Sequence, residues 1–387
     1  MEQVPGDDPR RSAGVTAATA AVDGGVVDVV CLGESMVTFL PSRPGRLADV
    51  PSFARAIGGA ESNVACALAA AGHSVKWVSR VGADGFGDHL IAAVAAYGVD
   101  VSAVRRDADR PTGVYFRTAT DRATPAHEVV YYRAGSAASV MSPANVPQED
   151  LDGARILHLS GMTAALSAEC LALMRHLTAR RAGRPLLSFD VNHRPGLGRD
   201  DPAVSLELAC RADLLFVGED EAAHAWGLDG PAAIREALPE PAVLVVKQGA
   251  RGAVAYAREP EPCAPEVCRD TATRAPAPRV DVIDPVGAGD AFAAGFLSAT
   301  LRALPVGARL RHGHLMAAAA LTVPGDLGSP PPAGPPGRHD SAARDVAPLT
   351  LACADRLAAL DDEHWGTLHL GPGWTTAAQA TEEVRTA

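Results

Sequence analysis

The stretch "DPVGAGDAFAAGF", residues 284–296, decides how this chain is read. After Asp290 the apolar residues Phe292 and Phe296, then Leu297 and Leu301, recur four apart. That spacing predicts a helix opening at the Gly287-Ala288-Gly289 turn. An aspartate there has two readings. It caps the helix, where a carboxylate satisfies free N–H groups and suits the dipole. Alternatively, Gly287, Ala288 and Gly289 keep their amides bare for an anion, and Asp290 stands beside it as a base. In isolation the cap is the simpler explanation, so the neighbouring sequence has to decide.

Upstream, short apolar runs alternate with helical stretches. "VVDVVCLGESMV" (26–37) is followed by runs at 75–81, 156–160, 186–191, 213–217 and 243–247. Between them, segments such as 60–71 and 86–97 carry apolar residues three or four apart and stop at Gly72 and Gly98. This alternation predicts an α/β fold with a mainly parallel sheet covered by helices. Residues 38–57 and 112–133 break the rhythm and read as β-ribbons forming a small lid over one end. Residues 1–25 read as a disordered leader rather than a signal peptide. "SPPPAGPPG" opens an extended Pro-rich linker over 329–345, and 346–387 read as a docked or disordered tail with one helical patch near 349–360.

Composition narrows the function. The 387 residues are 47% hydrophobic, only 4% aromatic, and carry a net charge of −11. An acidic chain poor in aromatics is a weak candidate for nucleic-acid binding. No apolar run approaches the roughly 20 residues of a membrane span. The seven cysteines lack metal-site spacing and read as free thiols of a cytoplasmic protein.

In a parallel sheet, ligands bind at the carboxyl ends of the strands. Those ends here read "LGES" (32–35), "FDVNHR" (189–194), "VGEDE" (217–221), "VKQGARG" (246–252) and "IDPVGAGD" (283–290). Glycines and carboxylates in such positions suit a phosphorylated ligand with a metal. Neither a P-loop nor a G-x-G-x-x-G fingerprint follows the first strand.

"DPVGAGDAFAAGF", together with "GGAESNVACALAAAG" (58–72) and "RVGADGFGDHL" (80–90), resembles the ribokinase-like (PfkB) sugar kinases. The resemblance covers about residues 26–328. It implies a Rossmann-type domain with a β-lid, ATP with Mg2+ as phosphoryl donor, and a sugar hydroxyl as acceptor. The amides of Gly287, Ala288, Gly289 and Asp290 would then stabilise the transferring phosphoryl group. Asp290 would take the hydroxyl proton. Glu221 matches the acidic end of the family's Asn-x-x-Glu magnesium motif, whose Asn is replaced here by Gly218. Gly249 and Gly252 look like the nucleotide loop, and "AAAALTVPGD" (317–326) matches the adenine-side segment. Asn192 is implied beside the ATP phosphates. Lys247 either reaches a phosphate or is a strand-end lysine. Asp284 either contacts the sugar or orients its turn.

Within the family, "VVYYRAGSAAS" (129–139) and "SFDVNHRP" (188–195) resemble the 2-keto-3-deoxygluconate kinases. A sugar acid presents a carboxylate, which arginine binds bidentately. Arg133 and Arg194 are therefore expected to meet in the cleft. By the same resemblance, Gly59, Ala60 and Asn63 hold sugar oxygens, and Tyr115, Tyr131 and Tyr132 line the acceptor. Tyr131 and Tyr132 are adjacent, so a strand would point them to opposite sides and one would serve lid packing. A homodimer through the lid is also expected. Fructose, ribose or another keto-deoxy acid as acceptor, and a non-catalytic sugar-binding regulator on the same fold, are the alternatives.

Overall fold

In the computed structural model, residues 26–118, 128–194, 201–261, 264–328 and 348–376 are described. The expected leader and Pro-rich linker lie outside the described residues. Seven parallel strands carry the main sheet: β1 (Val27–Leu32), β4 (Val75–Gly82), β5 (Val104–Asp107), β8 (Ala154–Ser160), β9 (Leu186–Asp190), β10 (Leu214–Gly218) and β11 (Val243–Lys247). The antiparallel strands β12 (Ala253–Glu261) and β13 (Ala264–Ala275) extend one edge, giving nine strands in the order β13-β12-β11-β10-β9-β8-β1-β4-β5.

These strands are apolar on both faces, and alternation divides their side chains between two cores. Val29, Cys31, Trp77, Phe216 and Val245 face one side. Val30, Leu32, Val78, Leu215 and Leu244 face the other. The first core is closed by α1 (Ala60–Ala70), α2 (Gly85–Ala95), α8 (Ala288–Leu301) and α9 (Val306–Leu321). The second is closed by α4 (Ala168–Thr178), α5 (Pro202–Ala209), α6 (Glu219–Trp226) and α7 (Gly230–Ala237), with the single turn α3 (Gly161–Ala164) leading off β8. No helix among the described residues is long and apolar enough to cross a membrane.

The two ribbons do not stay separate. β2 (Met36–Pro41) and β3 (Phe53–Gly58) form the first, β6 (Val114–Arg117) and β7 (Val129–Tyr132) the second. Parallel pairing of β2 with β6 joins them into one four-stranded lid in the order β3-β2-β6-β7. Its register sends Thr38, Tyr115, Arg117 and Tyr131 to one face and Phe39, Phe116, Val130 and Tyr132 to the other.

Residues 348–376 form α10 (Leu351–Ala358), α11 (Asp362–Thr367) and β15 (His369–Leu370), which pairs with β14 (Arg279–Val280). Leu357, Trp365, Leu368 and Trp374 bury themselves against Leu315 and Ala318 of α9.

Candidate active site

The turn that opens α8 depends on glycine. Gly287 has a φ of +77°, and a Cβ there would come 2.4 Å from the carbonyl oxygen of Asp326. Gly287 is the N-cap, and no side chain caps the helix. The buried Asp290 carboxylate instead looks across the cleft floor. Asn63 Nδ2 of α1 donates to its Oδ2 at 2.8 Å, and Asn192 Nδ2 donates to its Oδ1 at 3.2 Å. Asn192 follows β9 in a left-handed conformation, φ +44°. Burial pushes the Asp290 carboxyl up to about 7, helped by the charge of Asp190 and opposed by the Asn63 hydrogen bond. Geometry of this kind suits a proton acceptor better than a helix cap.

Across the strand ends, Lys247 Nζ lies 3.0 and 2.8 Å from the two oxygens of Asp190. A Cβ on Gly289 would stand 3.5 Å from the same nitrogen, so the ammonium borders the bare turn. Burial works against the Lys247 charge, but Asp190 and Glu221 outweigh it and hold its pKa above the ordinary value. Glu221 accepts from the Gly218 amide at 3.0 Å, and burial raises its pKa against the pull of Lys247. Gly218 thus supplies only a backbone donor where the family motif has an Asn side chain. Arg194 lies close enough for its charge to lower the pKa of both Asp290 and Glu221. Gly249 and Gly252 flank the turn after β11, both with positive φ, and a Cβ on Gly252 would meet the Ala275 carbonyl at 2.2 Å.

Of the two roles expected for Asp284, its contacts match the one that orients the turn. Its Oδ1 accepts from Arg117 Nη1 at 3.1 Å and the Val286 amide at 3.2 Å. Its Oδ2 accepts from Arg117 Nη2 at 2.7 Å and the Gly325 amide at 3.1 Å. A carboxylate with both oxygens so engaged orients the turn. Asp326 sits next to it, accepting at Oδ2 from Tyr115 Oη at 3.3 Å and Asn63 Nδ2 at 3.4 Å.

The lid contributes Tyr115 and Tyr131, whose rings stand 5.4 Å apart on the cleft-facing side. Tyr132 is 64% exposed and packs edge-on to Phe116 on the opposite face, so the expected acceptor role for it fails on strand alternation. Arg133 follows β7, packs over the Tyr131 ring and is ion-paired with the buried Glu34. Glu34 also accepts from Ser136 Oγ. Arg133 and Arg194, expected to meet in the cleft, have different partners: Arg133 is tied to Glu34 beneath the lid, and the charge of Arg194 acts on Asp290 and Glu221. Gly59 caps α1 and Ala60 begins it, and a Cβ on Gly59 would meet the Glu34 carbonyl at 2.5 Å.

Glu34, Arg117, Asp190 and Asp326 were not singled out from sequence. Glu34 and Asp190 lie in strand-end segments already noted, and that position was their signal. Asp326 ends the segment 317–326 expected on the adenine side, yet its partners Tyr115 and Asn63, like the partner of Arg117, lie far along the chain, and local spacing carries no trace of such pairing.

Comparisons with known proteins bear on the family and the fold. The family model described as pfkB family carbohydrate kinase matches residues 27–333. A 2-dehydro-3-deoxygluconokinase of Bacillus subtilis (strain 168) is 36% identical over 310 residues, 78% of this chain and 91% of that protein. Fructokinase-1 of Oryza sativa subsp. japonica is 31% identical over 276 residues, 70% of this chain and 81% of that protein. The crystal structure of a PfkB protein from Polaromonas sp. JS666 superposes with a TM-score of 0.66 at 35% identity, covering 76% of this chain and 95% of its own. With the α/β sheet, the lid and the Gly-Ala-Gly-Asp turn all in place, the chain belongs to the pfkB family of carbohydrate kinases.

Proposed function

We propose that this kinase transfers the γ-phosphoryl group of ATP to the 6-hydroxyl of 2-keto-3-deoxygluconate. Asp290 takes the hydroxyl proton, and the amides of residues 287–290 hold the transferring group. The observation that carries the acceptor class is Arg133: a lid guanidinium fixed by Glu34, with its buried Nε lacking a hydrogen-bond partner. A carboxylate on the acceptor satisfies that donor, whereas a neutral sugar does so more weakly. Tyr115, Tyr131, Asn63, Gly59, Ala60 and Asp326 complete the acceptor side. The Bacillus subtilis relative's name supports the same acceptor.

On the donor side, Lys247, Asn192, Arg194, Gly249 and Gly252 would hold the nucleotide. No cluster of three or more metal-ligating side chains occurs among the described residues. That fits Mg2+, which commonly binds through one or two carboxylates plus substrate phosphates. Glu221 is the carboxylate that would hold it, and the ion would supply charge neutralisation. The apolar outer lid face, with Val130 and Tyr132 exposed, supports a homodimer through the lid. The free cysteines among the described residues support a cytoplasmic setting.

ADP release with MgATP and a panel of 2-keto-3-deoxygluconate, its galacto epimer, fructose and ribose tests the reading. Faster turnover of a neutral sugar would overturn the sugar-acid assignment. The fructokinase relative makes fructose the competitor to include.

A further inference from the structure

Arg117 belongs to the lid, yet it is anchored in the main domain. Its side chain is 2% exposed, and both terminal nitrogens grip Asp284, three residues before Gly287. Nη2 also lies 3.6 Å from Asp326 Oδ1. Asp284 in turn accepts from the amides of Val286 and Gly325, so its carboxylate ties together the two loops that touch where Gly287 meets the Asp326 backbone. The cluster reaches the proposed base through Asn63, whose Nδ2 donates to Asp290 at 2.8 Å and to Asp326 at 3.4 Å. One lid cation thus faces two buried carboxylates beneath the turn that must receive a polyanion.

We propose that Arg117 is a positioning residue for phosphoryl transfer: it offsets the charge of Asp284 and Asp326 beneath the amide turn, and couples the lid's position to that of the turn. The inference rests on reading 284–290 as the phosphate cradle. Buried charges are poorly screened, so without the guanidinium the two carboxylates repel each other and the incoming phosphate. Spanning both oxygens of Asp284 needs a planar fork, which lysine lacks. The lid cannot lift at β6 without pulling on Asp284. A lid fixed over its acceptor is thereby linked to a correctly set turn.

Steady-state kinetics and thermal unfolding of R117M, R117K, the double variant R117M/D284N and, separately, D290N test this. In R117M, kcat falls roughly 100-fold through misplacement of the turn, with both KM values within about threefold of wild type. R117K retains more kcat than R117M. Adding D284N to R117M recovers kcat at least several-fold, because it removes the charge left without a partner. Should R117M fail to fold, R117K and the double variant decide: a folded R117K with reduced kcat beside a double variant that folds and turns over supports the charge offset, whereas R117K at wild-type kcat, or a folded double variant without turnover, contradicts it. The inference is overturned if R117M keeps wild-type kcat, or if its loss merely follows its melting temperature and D284N recovers nothing. D290N separates the two levels. If it is inactive while R117M is unaffected, only Arg117's role falls; if it turns over normally, the assignment of Asp290 as the base beside the cradle falls as well.

Discussion

Lys247 and Asp190 close a buried ion pair across the end of β10, with Nζ 3.0 and 2.8 Å from the two carboxylate oxygens. Their strands, β11 and β9, are the two neighbours of β10 in the sheet. The pair therefore spans the mouth where the donor phosphates are proposed to lie. Removing its cation leaves the buried Asp190 charge without its ion-pair partner, with the Asn192 amide at 3.3 Å beside it, a change that typically costs about 3–5 kcal/mol. For K247M we expect a clear loss of stability in urea and a rise in the KM for ATP of roughly tenfold or more. An unchanged KM for ATP would mean that the pair only braces the strand ends.

Asp290 should reveal itself through pH. Its carboxyl is pushed up to about 7 from an ordinary 3.8, chiefly by burial. A base must be ionised, so kcat/KM should fall about tenfold per unit below that value. The stability sign is opposite. An acid whose folded-state pKa is raised stabilises the fold fully below its unfolded value and loses that contribution as pH rises through about 7. Above that, the buried carboxylate is a burden of a few kcal/mol. D290N should lose about 100-fold or more in turnover. Its thermal midpoint should exceed wild type at pH 8, by a margin that shrinks toward pH 5. A variant destabilised equally at both pH values would contradict the burial argument.

Recognition of the acceptor should divide along Arg133 and Glu34. R133A removes the guanidinium with its buried Nε and should raise the KM for 2-keto-3-deoxygluconate by one to two orders of magnitude, about 1.5–3 kcal/mol for a charged hydrogen bond. The KM for ATP should hardly move. E34Q keeps the side-chain shape but frees the guanidinium's charge, so it should loosen Arg133's orientation and produce a smaller effect of the same sign. Equal losses for both substrates in R133A would reduce the residue to a structural support.

Much of this was legible because strand and helix periods are local properties. The run 243–247 coincides with β11, and 75–81 falls inside β4. The predicted helix after Asp290 is α8, and both ribbons lie where the rhythm broke. The hairpin β12–β13 was not anticipated, since segments such as "AVAYARE" and "CRDTATRA" mix small and charged residues without a β-branched run. The site was legible where one residue type at one place carries the chemistry, as at Asp290. It was not where the role depends on a distant partner: Arg117 meets Asp284 across 167 residues, and without that partner the two readings of Asp284 could not be told apart. Tyr132 shows the converse, since alternation already required one of two adjacent tyrosines to point away.

The docked segment 348–376 lies beyond the residues matched by the family model, so its contribution must be argued from packing alone. Trp365 is 1% exposed within the cluster on α9, and its indole Nε1 donates to the Pro276 carbonyl at 2.8 Å. The Arg311 guanidinium covers its ring at 4.8 Å. Truncating such a side chain leaves a cavity and an unpaired carbonyl, so W365A should cost about 3–5 kcal/mol, read as a lower urea midpoint with an unchanged slope. Because β15 pairs with β14 at Arg279 and Val280, shortly before Asp284, the loss should extend to hydrogen-exchange protection of the 276–284 segment. Protection unchanged there, with W365A unfolding at the wild-type urea concentration, would show that this segment rests on the kinase domain without supporting it.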